Sequence, residues 1–515
     1  MQPRKTKALY GAEARDALRR GIDAVFNAVA PTMGARGRNV VFKKWGMPVV
    51  TNDGVSIARE IVPEDPYEYL GAESLKQSSE QTNEEAGDGT SSTVVLSKSL
   101  IDAGTAAIDS GVDPMVLRRE MEVGRDKVLE ALKEIAVPVN DLKQVAQVSV
   151  EDEALAIMVS DLVNEVGLEG SIIVEETHGV NVRTEIAKGY TWNRGYVSPY
   201  MVTNQRGEAV LEKPAVIVTD RYMNLNTDLV EVMSELLKAG CQSILVVADN
   251  VEGELLQTIF ANKNKGVINV VVVKKPDTKQ ELEDIAVLTG ATAITSEKDI
   301  RKITTQHVGS AERVIISRDK AIIINSENEE LVQSRIEEIR EQITAEDHEK
   351  YGLIEALKTR LARLTGGVAR IKVGAHTEAE QAYLKMKIDD AVGACRSALE
   401  EGIVAGGGTT LRDLTSVLDE EIPGESVLMS AMVRPYITIL RNAGIDIGEG
   451  DLSVNYNVLT GEVIDDMMSE GIVDPAKVIR CALKNAVSIA GIILTTECAI
   501  ADIPAEPQFV VQNQR

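Results

Sequence analysis

Cysteine and histidine are scarce in this chain. Its 515 residues include 4 cysteines and 4 histidines. Cys241, Cys395, Cys481 and Cys498 are widely separated and form no C-x-x-C pair. That spacing disfavours a cysteine–histidine zinc centre, and a disulfide framework more strongly still. Aromatic residues make up 3% of the chain, which argues against stacking platforms for single-stranded nucleic acid. No apolar run approaches the roughly 18–20 residues of a membrane helix, and short runs such as 267–273 read as strands. The first segment, MQPRKTKALYGAEARDALRRG, is basic but lacks the apolar stretch of a secretory signal. The sequence therefore reads as cytoplasmic. There is no G-x-x-x-x-G-K-[ST] phosphate loop, no repeat and no low-complexity segment.

Acidic side chains are abundant. Asp and Glu number 80 against 55 Lys and Arg, a net charge of −25. Such a surface repels phosphate backbones and anionic lipid, so nucleic acid and membranes are not expected partners. The composition, 44% apolar and 26% charged, is that of an ordinary globular protein. The length exceeds what one core supports and predicts roughly two to four domains.

A helical pattern over 12–29 is closed by Pro31 and followed by the glycine-punctuated PTMGARGRNVVF. PVVTNDGVSIARE then reads as a hairpin about Asn52-Asp53-Gly54. Long helices are expected over 67–85, 90–109 and 114–135. Between about 189 and 367 the strands AVIVTD, SILVVAD and VINVVVVKK alternate with helices, the mark of an α/β unit. Within it, helices are expected at 227–239 and 253–264, and the charged stretch 327–349 reads as a solvated helix. Gly366-Gly367 ends the insert, and after Thr377 the chain is helical again. The expected fold is α+β and multidomain, with both ends in one mostly helical domain and the α/β unit nested between them.

Two glycine-rich helix starts are candidates for chemistry. In AGDGTSSTVVL, Gly87 and Gly89 leave room beside the backbone, while Thr90, Ser91 and Ser92 place hydroxyls and amides at a helix N-terminus. Such a terminus favours an anion. Asp88 would repel a bare phosphate but not one carrying Mg²⁺. A simple helix cap explains the motif as well. The second start is AGGGTT at 405–410, where tight helix packing is an equal explanation. Asp53 reads as a turn residue, Asp474 before Pro475 as a helix cap, and one of Asp389 and Asp390 as facing solvent. In the insert, Leu229, Val232, Met233 and Leu236 make a core stripe that Val230 and Leu237 widen, and Leu256 and Phe260 flank Leu255 and Ile259. That width means either deeper burial or an apolar groove for other chains.

Taken in order, TMGARGRNVVF, TNDGVSIARE, AGDGTSSTVVL, EEGIVAGGGTTL, GIVDPAKVIR and AGIILTTECAI, with RGYVSPYM and LTGGVARIKVGA in the insert, resemble the group I chaperonins, the GroEL type. The resemblance runs nearly end to end. It implies an equatorial domain of 1–134 with 402–515, a hinged intermediate domain of 135–188 with 368–401, and an apical domain of 189–367. It implies an ATPase that captures non-native polypeptides and encapsulates them under a GroES-type heptameric lid. The assembly implied is a homo-oligomer of seven-membered rings, commonly two back to back. The nucleotide pocket would be lined by Thr32, Met33, Gly34, Ala35, Asn52, Asp88, Gly89, Thr90, Ser91, Ser92, Gly407, Asn457, Val458, Leu459 and Asp474. Asp88 would hold Mg²⁺, and Thr32, Asn52 and Ser91 would hold K⁺. Asp53 and Asp390 would position and activate the attacking water. Tyr196, Tyr200, Met201, Val230, Met233, Leu256, Phe260 and Ala261 would form the client and lid groove.

Some positions depart from the family pattern. Ala35 and Asn52 stand where proline and lysine are usual, Ser91 and Ser92 replace threonines, and Val458 and Leu459 replace small residues. The chain ends QFVVQNQR without a glycine–methionine tail. These departures keep open a second function, a ring-forming scaffold or binding protein with weak or uncoupled ATPase. A small-molecule kinase or ligase fits the phosphate site alone but leaves the wide apolar helices unexplained.

Overall fold

The computed structural model describes residues 6–44, 47–150, 152–168, 170–177, 179–204, 207–225, 227, 229–295, 302–345, 351–365, 368–445 and 452–502. The chain divides into two compact units, one of residues 1–161 with 375–515 and one of 162–374. The expected glycine pair 366–367 and the C-terminal QFVVQNQR lie outside the described residues.

The first unit is built from helices whose starts are written in the sequence. Asp65 and Asp113 each precede a proline at the first helical position, and their carboxylates accept N–H groups of the first turns of Pro66–Ala86 and Pro114–Ile135. Their apolar stripes, with those of Gly11–Val29, Thr90–Asp109, Pro423–Met432 and Ala476–Leu494, meet in one core. Ile22, Leu75, Leu100, Met121, Leu428 and Leu483 are among its buried members. Below the glycine-flanked turn at 86–90, Thr93 Oγ1 donates to Thr82 Oγ1 at 2.9 Å, and Asn485 Nδ2 donates to the same oxygen at 3.0 Å. Helices distant in sequence are thus pinned beneath that turn by a satisfied buried network.

The hairpin expected about Asn52-Asp53-Gly54 forms elsewhere. Val40–Lys44 pairs antiparallel with Met47–Thr51, and Asn52-Asp53 leads directly into the helix Gly54–Glu60. Asp53 is that helix's N-cap, a role as open to an Asx residue as a turn, and the following VSIARE propagates helix rather than strand.

In the second unit, Asn269–Lys274, Ser243–Ala248 and Ala215–Val218 lie parallel, with Gly309–Ser310 antiparallel at the edge. Their interiors are continuous apolar runs because helices cover the sheet, and Val270, Val271, Val272 and Val273 are wholly buried. An antiparallel four-stranded sheet (Gly189–Trp192, Ala321–Ile324, Arg313–Ile316, Ala209–Glu212) and a three-stranded one (Ser171–Glu176, Val368–Val373, Arg183–Ala187) complete it. The helix expected from residue 227 begins at Val230. The charged helix is Glu329–Ala345, and it is not simply solvated: Val332, Ile336 and Ile339 are buried in the core. Its charges alternate with a narrow stripe that a count of charges conceals.

Asp284 in the helix Lys279–Thr289 has no exposed surface and sits between arginines of the two following helices. Arg335 Nε donates to it at 2.8 Å, and Arg360 donates through Nε and Nη2 at 2.9 Å each. Asp284→Ala takes the carboxylate from the buried Arg360 guanidinium and leaves Arg335 its outer partner Glu338, so it should lower the stability of this unit by about 3–5 kcal/mol. The measurement is its thermal unfolding transition, and an unchanged transition would contradict the assigned role.

Candidate functional site

The turn at 86–90 is shaped by its glycines. The helix Pro66–Ala86 ends at Gly87 with φ 72°, and Gly89, with φ 93°, begins Thr90–Asp109. Both conformations favour glycine, and between them Asp88 is half-buried, Gly89 N–H donating to its Oδ1 at 2.5 Å. No side chain caps the helix that follows, so the amides of its first turn remain for a ligand.

Asp53 lies at a second helix start facing the first. Its Oδ1 and Oδ2 accept from Val55 N–H at 3.3 Å and Ser56 N–H at 2.7 Å, and Thr51 Oγ1 accepts Asp53 N–H at 3.0 Å. Gly54 permits the approach, since a Cβ there would stand 2.7 Å from Ser91 Oγ. The backbone at Asn52 and the hydroxyl of Ser91, expected together on a monovalent cation, are therefore neighbours of the same junction.

One helix, Glu378–Glu401, brings Asp390 to the others. Met386 Sδ accepts the Ser56 hydroxyl at 3.3 Å, Gly393 rests on Gly87, and Ser397 Oγ donates to Ala86 O at 2.6 Å. These residues recur on one face of the helix, and Asp390 lies on it between them. Asp389 is exposed, as expected of one member of that pair. The Gly87–Gly393 contact is backbone on backbone: a Cβ on Gly393 would be 2.6 Å from Gly87 Cα.

Asp474 corrects its expected role. It lies in the strand Val473–Pro475 and does not cap the helix Ala476–Leu494, whose start has no side-chain cap. Its carboxylate instead accepts the N–H groups of Gly407 and Gly408, both in the left-handed region that opens the helix Thr409–Asp413. The triple glycine is thus folded around a carboxylate that comes from beyond residue 470.

These acids feel one another. Burial, then the charges of Asp88, Asp53 and Asp389, hold Asp390 well above the usual carboxylate range, and Lys387 opposes them. Burial and the Asp53 charge raise Asp88, against the Gly89 amide and Lys387. Burial and Asp88 push Asp474 up to about 7, against the two glycine amides. Carboxylates crowded this way favour a cation. Among the described residues no group of three or more His, Cys, Asp or Glu could hold a metal by itself. A hard divalent ion here would take a carboxylate oxygen from Asp88, with no all-protein cage among the described residues.

The remaining residues expected at the nucleotide lie on two other segments. Thr32 is buried and donates its hydroxyl to Val29 O at 2.8 Å, while Asn442 Nδ2 holds the carbonyls of Ala30 and Met33 at 2.8 and 2.9 Å. Gly34 adopts φ 88°, and Ala35 is exposed. Asn457 ends the strand Asn455–Asn457, its Oδ1 accepting Leu459 N–H at 3.1 Å, and Leu459 is 60% exposed in the turn that includes Val458. Arg36 Nη2 donates to Leu459 O at 2.6 Å, tying the two segments. Sequence reasoning overlooked Arg36, Lys387 and Gly393. Lys387 had a signal, a cation one turn before Asp390 on the same helix. Gly393 had none, because its partner is 306 positions away (393 − 87).

In the other unit, Val230, Leu256 and Phe260 pack partly against the core and keep an outward face. Tyr200 is 80% exposed and stands edge-on to Phe260, ring centroids 5.7 Å apart. Lys263 Nζ holds Tyr200 O and Val202 O at 3.0 Å each, and Ala261 is exposed beside it. Tyr196 is half-buried. Met201 and Met233 differ from expectation: they are 0% and 5% exposed, and Met201 Sδ accepts the Val272 N–H at 3.3 Å. They support the apolar surface from beneath instead of presenting it.

The molecule is thus a multidomain α+β chain with a cluster of carboxylates at helix starts in its helical unit. A sequence model of the TCP-1/cpn60 chaperonin family matches residues 25–504, and the chain belongs to that family. Its fold is similar to that of the chaperonin gp146 from the bacteriophage EL 2 (Pseudomonas aeruginosa), crystallised in presence of ATP-BeFx in two forms. One form matches at TM-score 0.71 and 23% identity over 98% of this chain and 100% of that one. The other matches at 0.65 and 24% over 97% and 99%. Among the described residues no helix is long and apolar enough to cross a membrane.

Gly393→Ala tests the contact that aligns the site. The added methyl meets backbone, which cannot swing aside, so stability should fall by about 1–3 kcal/mol. Denaturant unfolding of the helical unit is the readout, and an unshifted midpoint would show that the helices are not in contact.

Proposed function

We propose that this chain is an ATP-hydrolysing chaperonin of the group I, GroEL-like type, which captures non-native polypeptides on apolar apical helices and encloses them beneath a co-chaperonin lid. The observation that carries it is the convergence of Asp390 with Asp53 and Asp88 at a helix start left open to an anion. Family membership and a fold shared with a chaperonin crystallised with an ATP analogue support it.

Phosphoryl transfer to water needs charge neutralisation and an aligned nucleophile, with little covalent help from protein. Asp88 would hold Mg²⁺, which would supply the first when bound. The open amides at Thr90–Ser92 would stand ready for phosphate oxygens. Asp390, whose proton affinity is raised by burial and like charge, suits acceptance of the proton from the attacking water. Asp53, fixed by its cap bonds, orients that water. K⁺ would be held by the carbonyls of Thr32 and Asn52 and the hydroxyl of Ser91. Gly407, Asn457–Leu459 and Asp474 would line the nucleoside side, where Leu459 makes a more apolar wall than the family usually has.

The subunit is read as an equatorial domain (1–134, 402–515), an intermediate domain (135–188, 368–401) and an apical domain (189–367). Val137 and Ile403 exchange backbone hydrogen bonds of 3.0 and 2.8 Å where both chain crossings of the first hinge lie. Motion about that hinge would carry Asp390 to and from the phosphates and make hydrolysis conditional on closure. Tyr200, Val230, Leu256 and Phe260 form the outward apolar surface for client or lid, in a homo-oligomer of seven-membered rings.

Asp390→Ala should bind ATP yet turn it over at least about tenfold more slowly, a loss near 1.4 kcal/mol or more in transition-state stabilisation. Unchanged steady-state ATPase would remove Asp390 from the site. Phe260→Glu should abolish capture of a denatured client, and retained capture would overturn the groove. A scaffold that has lost coupling would show no change in ATPase when a heptameric lid is added.

A further inference from the structure

We infer that Tyr436 is a positioning residue for the nucleoside. With Arg412 stacked on its ring, it links the strand Asn455–Asn457 to the triple glycine and so sets nucleotide affinity apart from phosphoryl transfer. This deepens the ATPase reading above, on which it rests, and gives a role to two residues that reading does not use.

The short helix Arg434–Asn442 gathers three segments expected beside the nucleotide. At its end Asn442 holds the carbonyls of Ala30 and Met33, and Ile439 lies against Gly34, where a Cβ would stand 3.0 Å from Ile439 Cγ2. At its start Gly408 meets backbone, a Cβ there falling 2.6 Å from Tyr436 N. Tyr436 is 2% exposed, and its hydroxyl donates to the carbonyl of Val454, the residue before the strand. The guanidinium carbon of Arg412 lies 4.8 Å from the centroid of the same ring. Arg412 Nη1 donates to Val454 O at 3.2 Å and Nη2 to Asn455 Oδ1 at 2.8 Å, while Nε donates to Asp413 Oδ1 at 2.7 Å.

Two donors thus converge on one carbonyl, and the stacking of guanidinium on phenol keeps both in place. The strand that begins there ends at Asn457, whose side chain accepts Leu459 N–H, and Arg36 ties the far side of that turn. The strand pairs with the equally short Glu462–Ile464. A two-stranded hairpin is marginal by itself, so the place of residues 457–459 follows from where residue 454 is anchored. The acids of the phosphate side are held by other bonds, Asp53 by its own helix and Asp88 by the Gly89 amide. Loosening the Tyr436 hydroxyl should therefore reach the nucleoside and leave the surroundings of the phosphates as they are. An interaction common to ground state and transition state moves KM and leaves kcat.

Tyr436→Phe removes the hydroxyl and keeps the packed ring, and Arg412→Lys, a second variant, gives up the fork that reaches two acceptors. In steady-state assays on the full-length protein, Tyr436→Phe should raise KM for ATP about fivefold, the worth of one buried hydrogen bond, with kcat changed by less than about twofold. Inorganic tripolyphosphate, which has no nucleoside, is titrated as a competitive inhibitor, and its inhibition constant should not move. Arg412→Lys should show the same split, and the two changes together should cost less than their product because they share an acceptor. An unchanged KM for ATP would overturn the assignment. So would a tripolyphosphate constant weakened as much as KM, which would mark Tyr436 as a support of the whole site. Failure of tripolyphosphate to inhibit the unaltered protein would also overturn it, because the phosphate side would then have no affinity separate from the nucleoside. Each of these results leaves the ATPase reading standing. If the unaltered protein hydrolysed no ATP, that reading would fall, and equilibrium dialysis of ADP would decide for Tyr436 alone. Binding about fivefold weaker in Tyr436→Phe would support it, and equal or undetectable binding in both proteins would refute it.

Discussion

The repulsion among Asp53, Asp88, Asp390 and Asp474 is the constraint on which the helical unit turns. Bringing carboxylates together away from water is unfavourable, and protein structure tolerates it where something else fixes the parts. Here the fixing is done by backbone. Asp53 is held by its own helix, Asp474 by the amides of Gly407 and Gly408, and Asp88 between left-handed glycines. None of these acids depends on a neighbouring acid for its place, so the cluster persists despite its charge.

Asp390 differs from the rest because it arrives on a long helix from another part of the chain. Its position depends on Gly393 meeting Gly87, on Ser397 reaching Ala86 O and on Met386 reaching Ser56. Small residues allow this approach, and the same weak, short contacts can be released as a set. A strong side-chain lock would hold the acid in place permanently. A contact made of glycines and a hydroxyl fits the proposal that a conformational change delivers this acid.

The second unit solves a different problem, keeping apolar surface available without losing its core. Leu229, Val232, Leu255 and Ile259 go inward, and the buried methionines Met201 and Met233 fill beneath them. Val230, Leu256 and Phe260 are left half outside, with Tyr200 lying against Phe260. Burial of Asp284 between Arg335 and Arg360 ties together three other helices of the same unit.

Helix boundaries near Asp-Pro starts, the parallel strands and the glycine-flanked Asp88 turn were legible in the residues because each is a local matter of caps, periodicity and allowed φ. Asn52-Asp53-Gly54 misled because an Asx residue can open a helix as readily as a turn, and only the packing of the next residues chooses between them. Asp474 misled in the same way: the nearest helix start was its own, but the unfilled amides were about 66 positions back in the chain. Whether a widened apolar helix is a core or a groove depends on what covers it, which no pattern along one helix contains. Residue types therefore determined the local conformations and the chemistry on offer. Long-range backbone contacts decided which of those groups share a site, since glycine carries no side chain by which its distant partner could be read.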